Sequence, residues 1–432
     1  MKQKIIFHLA LLLLTVLPLQ AQTKVLTPEK AKPDETELRR QSFDKVWNTI
    51  NENHFDLTFG GVDWKQVREI YQPKAISAKT RNEFHDVLQQ MLGELKLSHF
   101  GVFSAESQIE TGEFGGGIIG IEIKMIDKEA IVSRVEKDST AEKAGLKTGF
   151  AIKKIGDKTT VELLERLEKY LAERETNERL KQIYRERTLA NLIGGKPESL
   201  ATVEVLNNKN QTQVFSIRRY AVKNEMSESM GNFPPQEVVF ESKKLDGNIG
   251  YIRFNMWLIP QMPKIRAAIR GFSGAKGIIF DLRGNPGGVG GMASGVAGFL
   301  SSERISLGSM NGRDSEIKFI GYPQTNPFLG KVVILSDYGT GSTSEIFAAG
   351  MQESGRAKVV GERSTGAVLP SVFVKLPTAA MFQYAISDYK SPKNVLIEGR
   401  GVAPNTEIKQ TRTALLAGRD LPLEEAIKQI LK

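Results

Sequence analysis

Residues 34–97 place apolar side chains at three- and four-residue spacing. Phe43, Val46, Trp47 and Ile50 form one stripe; Phe84, Val87, Leu88, Met91, Leu92 and Leu95 form another. That period lays each set on one helix face and predicts amphipathic helices around an aromatic-rich core, with 55–64 as a turn-rich connector. Past residue 112 the pattern changes. A glycine run leads into the apolar stretch 118–121, residues 163–198 are a charged amphipathic run, and 200–218 alternates like paired strands around the turn Asn207-Asn208-Lys209-Asn210. Residues 222–241, with Gly231, Pro234 and Pro235, read as a polar linker. From 249 onward, short β-branched runs (249–254, 277–282, 332–335, 357–360) alternate with helical stretches (263–272, from Met292, from Glu345). Strands alternating with helices predict a βαβ core.

Two strand-to-helix junctions in that core carry candidate chemistry. The first is Asp281-Leu282-Arg283-Gly284-Asn285-Pro286-Gly287-Gly288, a strand running into paired glycines that free the backbone to aim N–H groups at one point. No Gly-Lys-Ser/Thr follows, so a phosphate-cradling loop is a poor reading. The second is Gly339-Thr340-Gly341-Ser342-Thr343-Ser344-Glu345, a small-residue turn opening a helix with an acid in its first turn. Such a corner exposes a side chain beside free backbone N–H groups, which suits a serine nucleophile whose attack creates an oxyanion; it equally suits an ordinary N-capping serine. Thr340 and Ser344 are rival nucleophiles, with Ser344 better read as a packing or capping residue.

Composition trims the functional classes. The net charge of +9 is spread along the chain without basic-aromatic interleaving, so nucleic acid is not indicated. There is no cysteine, hence no disulfide, and no metal-ligand spacing or nucleotide fingerprint, so no cofactor or metal is expected. Residues 1–21 combine Lys2 and Lys4 with a short apolar run and Pro18-Leu19-Gln20-Ala21, the pattern of a cleaved secretory signal; this predicts a periplasmic or secreted protein with no stable membrane span. Beyond that segment lie three histidines. His54 sits in a polar loop and His85 faces away from its helix stripe, so both read as surface; His99 lies where a helix gives way to an apolar strand.

The two glycine-rich junctions, together with Gly361-Glu362-Arg363, resemble the C-terminal processing and tricorn-type serine peptidases over about residues 37–432. The resemblance implies an α/β fold with a ClpP/crotonase-like spiral core over 221–432, an N-terminal helical domain over 22–105, and no cofactor. Residues 112–220 look like an inserted PDZ domain. The glycine loop 114–117 enters a strand, and Ala144-Gly145-Leu146 followed by Ile152-Lys153-Lys154-Ile155-Gly156 matches the usual helix-turn-strand phrase. Gly116, Gly117 and Ile118 would then receive a peptide carboxylate and pair with its backbone. The run 163–198 exceeds what a PDZ helix needs and reads as a solvated helix pair, with a partner-binding arm as the alternative.

Members of the tail-specific branch use a lysine about two dozen residues after the serine. Ala367 stands at that position, so a Ser–Lys dyad is not supported. Tricorn-type members use Ser, His, a second Ser and Glu instead, and Ser98-His99 and Glu398-Gly399-Arg400-Gly401 match those regions. The resemblance therefore implies Ser342 as nucleophile, His99 as base, Ser98 linking His99 to Glu398, and an oxyanion hole from Gly287 or Gly288 with Thr343. The expected function is an exported serine endopeptidase acting on unfolded or C-terminally exposed polypeptide, with oligomeric state, homo-oligomer included, left open. The competing reading is a non-catalytic peptide- or lipophile-binding relative of the same fold.

Overall fold

The computed structural model describes residues 34–103, 116–172, 177–222 and 225–432; residues 1–21, expected to be a signal segment, and residues 114–115 of the glycine loop lie outside the described residues. The expected helices form as Glu35–Asn53, Trp64–Ser77 and Arg81–Gly93. Asp34, Asp63 and Thr80 cap their first turns, each side chain accepting a backbone N–H that the helix leaves unpaired. The predicted stripes meet in one core. That core also takes in Leu369, Leu376, Ala380, Phe382 and Ala385 from far along the chain. The strand Gly101–Phe103 pairs antiparallel with Met381–Ala385, which pairs in turn with Ser371–Lys375. The N-terminal helical unit is thus completed by a C-terminal hairpin, and a boundary drawn in sequence order at 105 cuts through a shared core.

The inserted domain is an antiparallel sheet of Ile121–Ile126, Glu129–Val135, Ala151–Ile155, Leu200–Leu206 and Thr212–Arg218, in that spatial order. The charged run forms two helices, Thr160–Ala172 and Glu178–Ile193. They are not merely solvated. Leu164, Leu189 and Ile193 enter the domain core, and Arg179 donates to the carbonyls of Thr365 (3.1 Å), Gly399 (2.9 Å) and Arg400 (3.2 Å) in the neighbouring domain.

The expected βαβ core is a six-stranded sheet ordered Phe240–Leu245, Ile249–Phe254, Gly277–Asp281, Lys331–Ser336, Lys358–Gly361, Thr406–Glu407. All neighbours are parallel except the first pair. The strand Phe240–Leu245 begins inside the stretch read as linker; its Lys243 and Lys244 mask an edge strand, where charge is tolerated because one side faces water. Helices Gln261–Gly271, Gly291–Gly298 and Thr343–Glu353 cover one face and Leu421–Leu431 the other, so the central strands are buried on both sides, as their unbroken apolar runs require. Both glycine-rich junctions leave the carboxyl ends of adjacent parallel strands, 277–281 and 331–336, which brings them together.

His54 is not a surface residue. It is 1 % exposed, stacked on Phe55 and Phe100 with ring centroids at 4.7 and 5.7 Å, and its Nε2 has no hydrogen-bond partner among the described residues. The polar loop seen in sequence folds back because the aromatic residues on either side carry it inward; His85 is half-buried beside Phe84. Burial lowers the His54 pKa. A pKa lower in the folded than in the unfolded state means the unfolded chain binds more protons. Stability is then complete above the ordinary histidine pKa and declines as pH falls below it. His54→Phe keeps the stacked ring and removes the titration. The drop in Tm from about pH 7 to about pH 5 is expected to be smaller in the variant than in the wild type; equal drops would show that His54 contributes nothing to acid lability.

Candidate active site

Ser342 occupies the corner between strand Lys331–Ser336 and helix Thr343–Glu353. Its backbone has φ 51° and ψ −119°, a conformation with positive φ that is costly for a residue with a Cβ. The corner has the arrangement of a capping box with Glu345, yet the half-buried Ser342 side chain makes no cap hydrogen bond of its own, so the ordinary N-cap reading does not account for it. The rivals are spent: Thr340 is buried with Oγ1 donating to Leu282 O (2.9 Å), and Ser344 Oγ is buried between Trp257 Nε1 (2.8 Å) and Asn285 Oδ1 (3.0 Å).

Glu345, read from sequence only as a helix-dipole residue, proves to be the anchor of this corner. It is fully buried. Its Oε2 accepts the N–H of Ser342 (3.1 Å) and Ala367 (3.0 Å); its Oε1 accepts Ser364 Oγ–H (2.5 Å) and Gly366 N–H (2.7 Å). Burial raises its pKa to about 7, against the opposing pull of the Ser364, Gly366 and Ala367 donors. The Ser342 N–H also reaches Ala367 O at 2.8 Å.

The first glycine-rich turn packs directly on Ser342. A Cβ on Gly287 would fall 2.5 Å from Ser342 Cβ, and one on Gly288 would fall 2.4 Å from Trp257 O, so neither position admits a side chain. The Gly287 N–H is already donated to Asn285 Oδ1 (3.0 Å). The parallel bridge between Trp257 and Gly288 uses Gly287 O and Val289 N–H, which leaves the Gly288 N–H pointing elsewhere. Thr343 is the first residue of its helix, so its N–H has no intrahelical acceptor, and its Oγ1 donates to Gly288 O at 2.8 Å. Of the three expected donors, Gly288 and Thr343 therefore keep N–H groups without an acceptor among the described residues, while Gly287 has none to offer.

Ser98, His99 and Glu398 come together as one chain of hydrogen bonds. Ser98 Oγ lies 2.7 Å from His99 Nδ1 and 3.0 Å from Glu398 Oε2; the Ser98 N–H donates to Glu398 Oε1 at 2.8 Å. A hydroxyl has one proton. With that proton donated to Glu398, Ser98 Oγ accepts from Nδ1–H, which leaves Nε2 with its lone pair. Desolvation lowers the His99 pKa to about 4, although the residue keeps some exposure, so the ring is neutral at pH 7. Burial raises the Glu398 pKa, opposed by donors from Val368, Ser98 N–H and Ser98 Oγ. This group connects to the Ser342 corner through adjacent residues: Ala367 O holds the Ser342 N–H, and the Val368 N–H donates to Glu398 Oε2 (3.0 Å). Among the described residues no hydrogen bond joins Ser342 to His99 directly.

The expected carboxylate loop of the inserted domain differs. Gly117 exchanges both backbone hydrogen bonds with Gly195 (2.8 and 3.0 Å), and Ile118 pairs with Tyr220, so the Gly117 N–H is unavailable to a peptide carboxylate. Gly116 lies just outside that ladder with φ 57°. The residues that close the loop, Gly195 and Tyr220, lie 78 and more positions downstream of Gly117, beyond the reach of a local glycine motif.

A model of peptidase family S41 matches residues 248–408, and a model of the tricorn protease C1 domain matches residues 36–93. A carboxyl-terminal-processing protease of Synechocystis sp. is 24% identical over 376 residues, which cover 84% of this chain and 79% of that one. A probable CtpA-like serine protease of Staphylococcus haemolyticus is 26% identical over 302 residues; these cover 69% of this chain but only 53% of the staphylococcal one. The photosystem II D1 C-terminal processing protease superposes with a TM-score of 0.58 at 20% identity, over 91% of this chain and 97% of that one. Mature CPAF complexed with lactacystin gives 0.61 at 14% identity, over 92% and 98%. At such identities the superpositions speak for a shared fold.

The geometry around His99 sets a measurable expectation. In an NMR titration its ring should change protonation well below the ordinary imidazole range of roughly 6 to 7, near 4. A midpoint at or above the ordinary value would mean that the ring is solvated in the free protein.

Proposed function

The chain belongs to peptidase family S41, and from that membership we propose that it hydrolyses polypeptides with Ser342 as nucleophile and His99, oriented through Ser98 by Glu398, as base. The observation that carries the reading is the unbroken hydrogen-bonded chain from His99 Nδ1 through Ser98 Oγ to Glu398, tied to the Ser342 corner by Ala367 and Val368. In the first step His99 Nε2 takes the Ser342 Oγ proton as Oγ bonds to the scissile carbonyl carbon. The oxygen that gains the electron pair is stabilised by the N–H groups of Gly288 and Thr343, which have no acceptor among the described residues. The carbonyl re-forms as the C–N bond breaks, with the His99 proton passing to the departing amine. Water then attacks the ester by the same route and restores Ser342. The negative Glu398, one hydroxyl away, stabilises the transient imidazolium without itself contacting substrate.

Glu345 does not compete for the role of base, because both its oxygens are occupied by four donors and it is sealed from solvent. Ala367 leaves no lysine beside the serine. A purely binding role for the fold leaves the Ser98–His99–Glu398 relay without a purpose. The substrate class proposed is unfolded or C-terminally exposed polypeptide, met outside the cytoplasm if residues 1–21 direct export; no helix among the described residues is long and apolar enough to cross a membrane. The inserted domain is proposed as PDZ-like, with any carboxylate capture falling to Gly116, since Gly117 and Ile118 are already paired.

Ser342→Ala should abolish both peptide hydrolysis and labelling by a fluorophosphonate probe without lowering Tm. Glu398→Gln should lower kcat by roughly 10²–10⁴-fold with KM little changed, because the lost interaction matters once His99 is charged. The low-pH limb of kcat/KM, which reports the free enzyme, should lie below the ordinary imidazole range because the His99 pKa is lowered. Retained labelling in the Ser342 variant would end the assignment.

A further inference from the structure

We propose that Lys124, supplied by the inserted β domain, is a positioning residue of the peptidase site that acts through Asp337 on both glycine-rich turns. The inference rests on Ser342 being the nucleophile. Lys124 Nζ lies 2.7 Å from Asp337 Oδ2, and the two side chains are 21% and 8% exposed. The other carboxylate oxygen, Asp337 Oδ1, accepts the N–H of Gly284 (2.8 Å) and of Gly339 (2.9 Å). Gly284 opens the turn that ends in Gly287 and Gly288; Gly339 opens the turn that ends in Ser342. One carboxylate therefore ties the oxyanion-donor turn to the nucleophile turn, and the inserted domain provides its counter-charge.

The contact is close-packed. A Cβ on Gly339 would stand 3.0 Å from Gly284 Cα, 3.2 Å from Asp337 Oδ1 and 3.3 Å from Lys124 Nζ, so no side chain fits between the two turns beside the ammonium. Glu186, from the helix Glu178–Ile193, holds Lys124 from the other side at 3.5 Å, accepts the Met125 N–H (2.7 Å) and is hydrogen-bonded by Tyr338 Oη. The Tyr338 ring lies beneath the ammonium at 4.6 Å. Arg283, the other cation near Asp337, is committed to Asp281 and Asp420.

The physical reason is charge. A buried carboxylate without a partner takes up a proton or recruits water, and either event weakens its hold on the two glycine N–H groups. Misplacing those turns by a fraction of an ångström shifts Gly288 N–H and Ser342 Oγ relative to each other, which costs rate rather than substrate affinity. A simple interdomain latch would affect only stability.

The test uses the full-length protein and four forms: wild type, Lys124→Met, Asp337→Asn, and the double variant. The amide oxygen introduced by Asp337→Asn can still accept both glycine N–H groups and carries no charge, so the double variant leaves no unpaired charge on the side chain that holds the two turns; Glu186 loses Lys124 but keeps the Met125 N–H and Tyr338 Oη donors, and the protein is expected to fold. Measured are kcat and KM on an unstructured peptide, the rate constant of fluorophosphonate labelling, Tm, and amide exchange at Gly284 and Gly339. Lys124→Met is expected to lose about ten- to hundredfold in kcat and in labelling rate, with KM within about twofold, and to speed exchange at the two glycines. In the Asp337→Asn background the same substitution should change kcat by less than about twofold. A Lys124→Met protein with lowered Tm but wild-type kcat and labelling would overturn the proposal. So would an equal loss in both backgrounds, a comparison that remains readable if the single variant folds poorly. If Ser342→Ala proves active, the nucleophile assignment fails, yet glycine exchange in Lys124→Met still decides whether Lys124 holds the turns.

Discussion

The conformation of Ser342 is the constraint on which the rest of the structure depends. A backbone with positive φ at a residue with a Cβ costs on the order of 1–3 kcal/mol and persists only where its surroundings leave no alternative. Here the N–H of Ser342 is held at once by Ala367 O and Glu345 Oε2, and its Cβ is pressed against Gly287, where no side chain fits. Relaxing φ to the right-handed side would break both bonds and drive the serine into the neighbouring turn. The strain is what leaves Oγ without a cap hydrogen bond at the head of a helix, since a conventionally folded N-cap serine would spend its oxygen on the helix N–H groups.

Holding that conformation requires buried carboxylates, and their desolvation is offset locally. Asp281 and Asp337 lie at the carboxyl ends of core strands and Glu345 in the first turn of the helix after the second of them, all nearly or fully buried. Glu345 is matched by four hydrogen-bond donors, Asp337 by two glycine N–H groups and Lys124, Asp281 by Arg283 and the Tyr251 hydroxyl (2.8 Å). Apolar residues of like volume would serve stability equally well or better. What apolar residues cannot do is fix the angle of a turn, because dispersion is non-directional while a carboxylate receiving several N–H groups sets where each must point. These carboxyl groups are therefore better understood as setting geometry than as holding the fold together.

Much of the architecture was legible because it follows from periodicity. The central strands declare themselves as unbroken β-branched runs, and the helical stripes meet in the core they imply. What sequence order hides is convergence. Ser98 and Glu398 are 300 residues apart and yet share two hydrogen bonds; only a family pattern, not spacing, brought them together before the fold was known. The hairpin Ser371–Lys375 and Met381–Ala385 joins the helical domain because its strand partner, Gly101–Phe103, is too short to signal one. Glu345 looked like a dipole residue because an acid in a first helical turn always does; its four donors arrive mainly from residues 364–367, which nothing local announces. His54 and one face of the helix pair within 163–198 are more buried than their sequence suggests for one reason: polarity in sequence does not distinguish a group facing water from one facing a buried partner.

Residues 364–368 join the parts of the site to one another. Ser364 and Gly366 bind one oxygen of Glu345, Ala367 binds the other and the Ser342 N–H, Val368 binds Glu398, and Thr365 O takes Arg179 from the inserted domain. Five consecutive residues thus connect the Ser342 corner, the hydrogen-bonded group of Ser98, His99 and Glu398, and the inserted domain. A displacement of this short segment cannot disturb one of them alone, since a peptide unit that swings away from Glu345 carries the Val368 N–H away from Glu398. Groups coupled so closely do not contribute separable increments to a rate, and removing any one of them forfeits much of what the others supply. The tail-specific branch of the resemblance places its lysine where this segment has Ala367. Without a side chain to position there, the segment works mainly through its backbone, which is why its glycine and its small residues suit it: Gly366 has φ 76° and a Cβ on it would lie 2.8 Å from Gly401 N.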